Sequence, residues 1–397
     1  MRRQRIPGGL ALLAVSAAAL IVVAAVAVVV TRRPERSAVV RVTALDRNPA
    51  ALALDGRTGQ AFVALASTGP GARGRLLVFD SATGTLLRTI LVGHALSALA
   101  VDERAGRVFV ADDLDLGGSP SGSAGALYVV DERGGRVVSG VTLDPRASAM
   151  ALYGDHGRLL TVTRGGVVVG ASVRGAVAVR DIRTGTILHT GTAGALPTAI
   201  AVDARTGQAF VSNLFDNSVS VLDAGNGRGL RTVVLGPSPS RVTAVVVDGG
   251  TKQAFAFSPS PLGASNPQTA SGSVAVIDIA TGRLLNTVAL RNPSAIAVDE
   301  RTGRVVVGGR DGLRILDGVD GRPLRTIAVA AGPSPQALAV DGHAGRAILT
   351  RYSGAARDAD PWAWMPGPLR DRLPFIPAPP ARFHDVPASV SILDLTR

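Results

Sequence analysis

Cysteine is absent from this 397-residue chain, lysine occurs once, as Lys252, and glutamate only at Glu35, Glu103, Glu132 and Glu300. Without cysteine there is no thiol nucleophile and no cysteine-based zinc site. Aromatic residues make up 4% of the chain, too few to interleave a basic groove with the stacking platforms that nucleic-acid binding uses. No P-loop and no G-x-S-x-G nucleophile motif is present. Phosphate-cradling and serine-hydrolase chemistry of those kinds is therefore excluded.

The charge is less one-sided than its total suggests. The formal net charge is +12, but six arginines and one glutamate precede Ser37, leaving +7 on a long remainder. The remaining cations are nearly all arginine, and Arg57, Arg104, Arg133, Arg183, Arg205 and Arg301 sit in turn-like pentapeptides rather than in one cluster. No nucleic-acid partner is expected from that distribution.

What the chain does have is a repeat, clearest at 198–236. Four short runs rich in Val, Ile, Ala and Phe, at 198–202, 208–212, 219–222 and 230–234, are separated by Gly, Asp and Asn turn chemistry. The first and third separators share a form, Asp203-Ala-Arg-Thr-Gly207 and Asp223-Ala-Gly-Asn-Gly227. An Asp opening such a turn accepts hydrogen bonds from nearby backbone, and the closing Gly supplies positive φ, so each pentapeptide predicts a hairpin.

The first turn recurs from Asp55, Asp102, Asp299 and Asp341, with degenerate copies at Asp155-His-Gly157 and Asp248-Gly-Gly-Thr-Lys252. The second recurs from Asp80, Asp131, Asp181, Asp278 and Asp317, and its last copy is cut short at Asp394-Leu-Thr-Arg397. Seven units of four strands predict an all-β, seven-bladed β-propeller of four-stranded antiparallel blades. The last unit lacks its fourth strand. The strand-like run at 38–44 has no partner nearby, so pairing with 389–393 would close the ring.

The segments AVDARTGQAFVSN, AVDERAGRVFVAD and AVDERTGRVVVGG resemble the YVTN-type β-propeller repeat of exported surface proteins of bacteria and archaea. The resemblance covers nearly all of 37–397. It implies a propeller displayed outside the cell, and it leaves activity open, since function lives in sites grafted on folds. Calcium-dependent lactonases of the propeller class use a glutamate with asparagine and aspartate around a central metal; here every glutamate falls in the leader or in a turn. Quinoprotein propellers carry a tryptophan between blades, whereas Trp362 and Trp364 both lie in one late insert.

Residues 1–36 are a different material. A basic tail, 1–7, precedes an uninterrupted apolar run, 8–30, followed by a polar linker, 31–37. A run of 23 residues reaches the length of about 20 that a spanning helix needs and exceeds the apolar core of about 7–15 in a secretory signal. A single-pass transmembrane anchor is expected, with Ala25-Val-Ala27 leaving open a cleaved leader and a secreted product. Arginines flank both ends, so charge hardly orients the span; the resemblance places the propeller on the extracytoplasmic side.

Strand order puts all the Asp-to-Gly turns on one face and the remaining loops on the other. The latter vary in length: 67–75, 112–126, 164–175, 213–218, 258–273, 308–312 and 353–388. Length variation over a constant frame is how repeat folds carry recognition. The insert 353–388 holds Trp362 and Trp364 among many prolines, which exclude a regular helix and a central strand. Its aromatics either plug the channel or dock a protein or glycan partner.

Other candidates on this face are His94, His384 and Arg351, together with Asp112, Asp113, Asp115, Asn213, Asp216 and Asn217. The last six offer hard oxygen ligands for Ca²⁺ or are solvated loop residues; no other cofactor is expected. The reading carried forward is a membrane-tethered, non-catalytic binding or scaffold module. A lactonase-type hydrolase at the channel mouth is the alternative.

Overall fold

The computed structural model describes residues 38–65, 72–112, 125–143, 147–163, 167–168, 171–172, 174–236, 241–259, 271–310, 312–329, 333–357 and 383–396. Residues 1–37 and 38–397 form separate units. The basic tail, the expected anchor and the linker lie outside the described residues. Among the described residues no helix is long and apolar enough to cross a membrane.

Blade 4 shows why these residues form this unit. Its strands are Pro197–Asp203, Gln208–Asn213, Ser218–Asp223 and Gly229–Val234, paired antiparallel in chain order. The first and third run a residue beyond the apolar stretch because the turn-opening Asp203 and Asp223 still belong to the ladder, each opposite Gln208. Closing glycines of both turns adopt the left-handed region, as at Gly207 (φ 66) and Gly227 (φ 73), where a Cβ would be strained.

Six further four-stranded antiparallel sheets repeat this plan. Their innermost strands are Pro49–Asp55, Leu96–Asp102, Ala147–Tyr153, Ala244–Asp248, Pro293–Asp299 and Pro335–Asp341. Each innermost strand touches those of the blades before and after, and Pro49–Asp55 touches Pro335–Asp341, which closes the ring of seven. The seam is as expected. Val39–Ala44 pairs with Ser389–Asp394 as the outer strand of blade 7, Val39 opposite Leu393 and Ala44 opposite Ser389.

The core lies between blades. Phe62, Val78 and Leu76 of blade 1 pack on Val108, Val110 and Val130 of blade 2. Phe210, Val219 and Val221 of blade 4 pack on Ala254, Ala256 and Ile277 of blade 5. The scarce aromatics are mostly spent here, with Phe62, Phe79, Phe109, Phe210, Phe255 and Phe257 fully buried. Removing one such ring costs about 3–5 kcal/mol.

Two degenerate turns are built differently from their neighbours. In blade 3 the innermost strand ends in Tyr153 instead of Asp, a 3₁₀ turn spans Gly154–His156, and Tyr153 stacks on His156 at 3.9 Å. In blade 5 Lys252 takes the place of the closing glycine at φ 62.

Candidate functional site

The turn face is built from a short set of bonds. In first turns the Asp carboxylate folds back on its own backbone: Asp55 Oδ1 accepts the N–H groups of Arg57 and Thr58, both at 2.8 Å, and Asp341 Oδ1 those of His343 and Ala344, both at 2.9 Å. Second turns do the same. Backbone N–H groups of Arg183 and Thr184 hold the Asp181 carboxyl below its usual range, and the Thr281 hydroxyl does so for Asp278. In all seven blades the residue after the second-turn Asp donates its N–H to the carbonyl closing the first turn, as from Ser81 to Gly59 (2.8 Å) and from Leu395 to Gly345 (2.9 Å).

Arginines then join blade to blade. At the inner radius Arg57 Nε donates to Glu103 O at 2.9 Å and Arg205 Nη1 to Gly249 O at 2.9 Å, while Arg301 reaches Gly342 O and Arg104 pairs with Asp155. At the outer radius Arg88 Nη1 donates to the Glu132 and Arg133 carbonyls at 3.0 and 2.6 Å. Arg231 and Arg325 reach Ile279 O and Leu395 O in the same way. These seven arginines thus stitch one repeat to the next.

The candidate residues on the loop face divide into three groups. Trp362, Trp364, Asp113 and Asp115 lie outside the described residues. His384 belongs to a ribbon, Phe383–Val386 on Gly354–Arg357, where its backbone faces Ala356. The others are placed in full, and several are buried where exposed loop acceptors were expected.

Asp112 is 2% exposed, and its two oxygens accept the backbone N–H groups of His94 (2.9 Å) and Ala95 (2.7 Å); His94 Nδ1 lies 3.8 Å from the same carboxylate. Asn213, fully buried, accepts from Gly194 N–H at 2.9 Å and donates to the Ser218 and Ser220 hydroxyls. Asp216 accepts Ala195 N–H at 2.6 Å. Asn217, at φ 44, donates to Gly236 O and accepts from Val242 N–H.

Each therefore ties a loop between strands 2 and 3 to the adjacent crossing between blades. Asp112 belongs to blade 2 and Asn213, Asp216 and Asn217 to blade 4, and each accepts hydrogen bonds from nearby backbone. Among the described residues no three acidic, His or Cys side chains are grouped to hold a metal. Arg351 ends strand 2 of blade 7, is mostly buried with Nε unpartnered, and burial lowers its pKa.

Two exposed aromatics on this face were not anticipated. Phe215 lies in the loop joining strands 2 and 3 of blade 4, with Arg241 over its ring at 5.3 Å, and Tyr352 follows Arg351 in blade 7; each is 40% exposed.

The turn face carries a cavity. The channel opens there as a space of about 1170 Å³, walled by apolar groups such as Leu54, Ala201 and Val340 and rimmed by Arg57, Glu103, Glu300, Arg301 and His343. Burial, with Asp248 adding to it, raises the Glu300 pKa. Beside the rim, Glu132 of blade 2 is buried against Asp55 of blade 1. Its Oε1 accepts the Thr58 hydroxyl, while Glu132 Oε2 and Asp55 Oδ2 have no hydrogen-bond partner. Burial and the Asp55 carboxyl raise the Glu132 pKa. The rim residues occupy the second and third positions of first turns, a signal that sequence reading treated as purely structural.

No family model matches the chain, and no curated protein matches it. Among solved structures it is similar to one described as "Structure of U3-55K", at 12% identity and a TM-score of 0.62, over 89% of this chain and 98% of that one. It is also similar to "Crystal structure of RRP9 WD40 repeats", at 12% identity and a TM-score of 0.58, over 78% and 89% of the two chains. At such identity the likeness shows the fold: the domain is a seven-bladed β-propeller of the kind that WD40 repeats build.

Proposed function

We propose that this chain is a membrane-tethered, extracytoplasmic propeller of the YVTN type. It acts as a non-catalytic scaffold that binds a protein or glycan through its loop face. The observation that carries the reading is the contrast between the faces. Turns are nearly uniform in all seven blades, whereas the segments joining strands 2 and 3 range from 310–311 in blade 6 to 352–388 in blade 7. Uniform polar groups are used up in stitching the frame, so specificity falls to the variable loops.

The WD40-like fold supports a protein-interaction role, and the two exposed aromatics are the side-chain type that anchors interfaces. The apolar run at 8–30 is the proposed tether. Ala38 enters blade 7 at the turn face, where its carbonyl accepts Asp394 N–H at 2.7 Å. Loops and point of attachment thus lie at opposite ends of the domain. The lactonase alternative gains no support from Asp112, whose oxygens accept the backbone N–H groups of His94 and Ala95.

The test is site-specific photo-cross-linking in the full chain, with the probe at Phe215, at Tyr352, or at Val319 in a second turn of the opposite face. Partner adducts from Phe215 and Tyr352 but not from Val319 are expected. Adducts from Val319 alone would refute the loop-face assignment.

A further inference from the structure

In blades 1 to 6 the outer strand begins, on leaving its second turn, with large aliphatic side chains in solvent. Leu86 and Leu87 of blade 1 are 45% and 48% exposed, Val137 and Val138 of blade 2 are 42% and 56%, and Leu284 and Leu285 of blade 5 are 39% and 50%. Blades 3, 4 and 6 present the same class at the same place with Ile187, Leu188, Leu230 and Leu324, and in blade 7 the outer strand Val39–Ala44 exposes Val40 and Val42. At the opposite, loop-side end of the outer strands only Leu91 and Val234 are comparably exposed among the described residues. The aliphatic groups therefore form a belt on the turn side of the rim.

Arginine accompanies the belt. Arg136, Arg228, Arg283 and Arg322 each directly follow the closing glycine of a second turn and are exposed. None has a carboxylate within ion-pair distance among the described residues. The carboxylates of this face lie inward, at the channel mouth or folded onto their own turns. Outward, blades 2, 4, 5 and 6 carry exposed guanidinium groups at the turn-side start of the aliphatic belt.

We propose that the turn-side rim is a second membrane contact, in which the propeller rests on an anionic lipid surface. Three features select that occupant. Arginine beside half-exposed Leu, Ile and Val is the composition of segments that lie in the interface, with apolar groups buried about 5–10 Å deep; the belt starts one or two residues above the turns, at about 3.3 Å per residue. The guanidinium groups complement a leaflet that carries negative charge. Finally, the chain enters the domain at this face, seven residues after the apolar run ends at Val30. The inference rests on the tethered reading for the nearness of a bilayer, and it has its own test.

Residues 38–396 supply every strand of every blade, so the domain 38–397 is complete in strands without the leader. Its flotation with vesicles of phosphatidylcholine, with and without phosphatidylserine, measures the rim alone. Binding to the anionic vesicles that weakens with salt is expected. The paired change Arg283→Gln and Arg322→Gln should lower it by about fivefold per arginine, and Leu284→Ser with Leu285→Ser by roughly tenfold. Leu91→Ser with Val234→Ser, at the loop-side ends of the outer strands of blades 1 and 4, should leave it unchanged. No flotation of the folded domain, or equal loss in the loop-end control, would overturn the proposal. Alkaline carbonate extraction of the full chain separately reads the anchor: release from the membrane would defeat the tether while leaving the vesicle result to stand by itself.

Discussion

Glu132 occupies a position that is Ser81, Ile182, Ala224, Ile279, Gly318 or Leu395 in the other blades, where the backbone N–H is used and, at Ser81, the hydroxyl also donates to Asp341 Oδ2. Its carboxyl is buried with one oxygen on the Thr58 hydroxyl, while Glu132 Oε2 and Asp55 Oδ2 lack a hydrogen bond and share Arg57 Nη2 at 3.8 and 3.6 Å. The folded pKa lies above the ordinary 4.5, so the folded state holds the proton more tightly than the unfolded chain. The contribution to stability is then fully present below 4.5 and is lost as pH rises through the raised folded value. Glu132→Gln removes that dependence and supplies an amide N–H for Asp55 Oδ2. We expect it to stabilise the domain by about 1 kcal/mol at neutral pH, with the gain vanishing as pH falls toward 4.5. Urea midpoints at the two pH values decide this; a variant less stable at neutral pH would show that the two carboxyls are not opposed in this way.

At the scale of the element, stability between sheets depends on side chains that cross from one repeat to the next. Arg88 donates to two carbonyls of the following turn and to Gln60 Oε1 at 3.3 Å. Arg88→Ala leaves these acceptors to solvent or to nothing, and a loss of about 1.5–3 kcal/mol is expected. Arg133→Ala, at an exposed turn position, should change the urea midpoint by less than about 0.5 kcal/mol. Equal effects would mean that the stitch contributes no more than an ordinary surface arginine.

The turns themselves were legible because their chemistry is local: an Asp that bonds backbone two or three residues on, and a Gly that must take positive φ. The arginine stitch was visible only as a composition, since its acceptors are carbonyls about 45 residues away with no side-chain signature. Asp112 and Asn213 misled for a related reason. A loop carboxylate looks free in sequence when its partners are backbone N–H groups of a neighbouring crossing. Tyr153 could replace the turn-opening Asp because a 3₁₀ turn and the His156 stack close that hairpin by other means. The loop-face aromatics Phe215 and Tyr352 went unnoticed because a lone aromatic in a short loop carries no pattern.

For the molecule as a whole, seven interchangeable repeats make an object whose ends must be told to meet. An open stack of blades would leave edge strands exposed and only neighbour-to-neighbour coupling. The chain instead places its first described strand beside its last, and the five registered pairs between Val39–Ala44 and Ser389–Asp394 join opposite ends of the sequence. That seam is where opening should begin. Val42 stands opposite Ser391, whose buried hydroxyl has no hydrogen-bond partner, and the absence of native cysteine means that a disulfide between Val42→Cys and Ser391→Cys would be the sole one. Closing so long a loop should stabilise the domain by on the order of 4 kcal/mol if unfolding requires the ends to part. Thermal unfolding with and without reductant measures it. A raised midpoint that reductant abolishes would place the first cooperative opening at the seam, whereas an unchanged midpoint would show that another blade interface, most plainly the one holding Glu132 and Asp55, gives way before the ends separate.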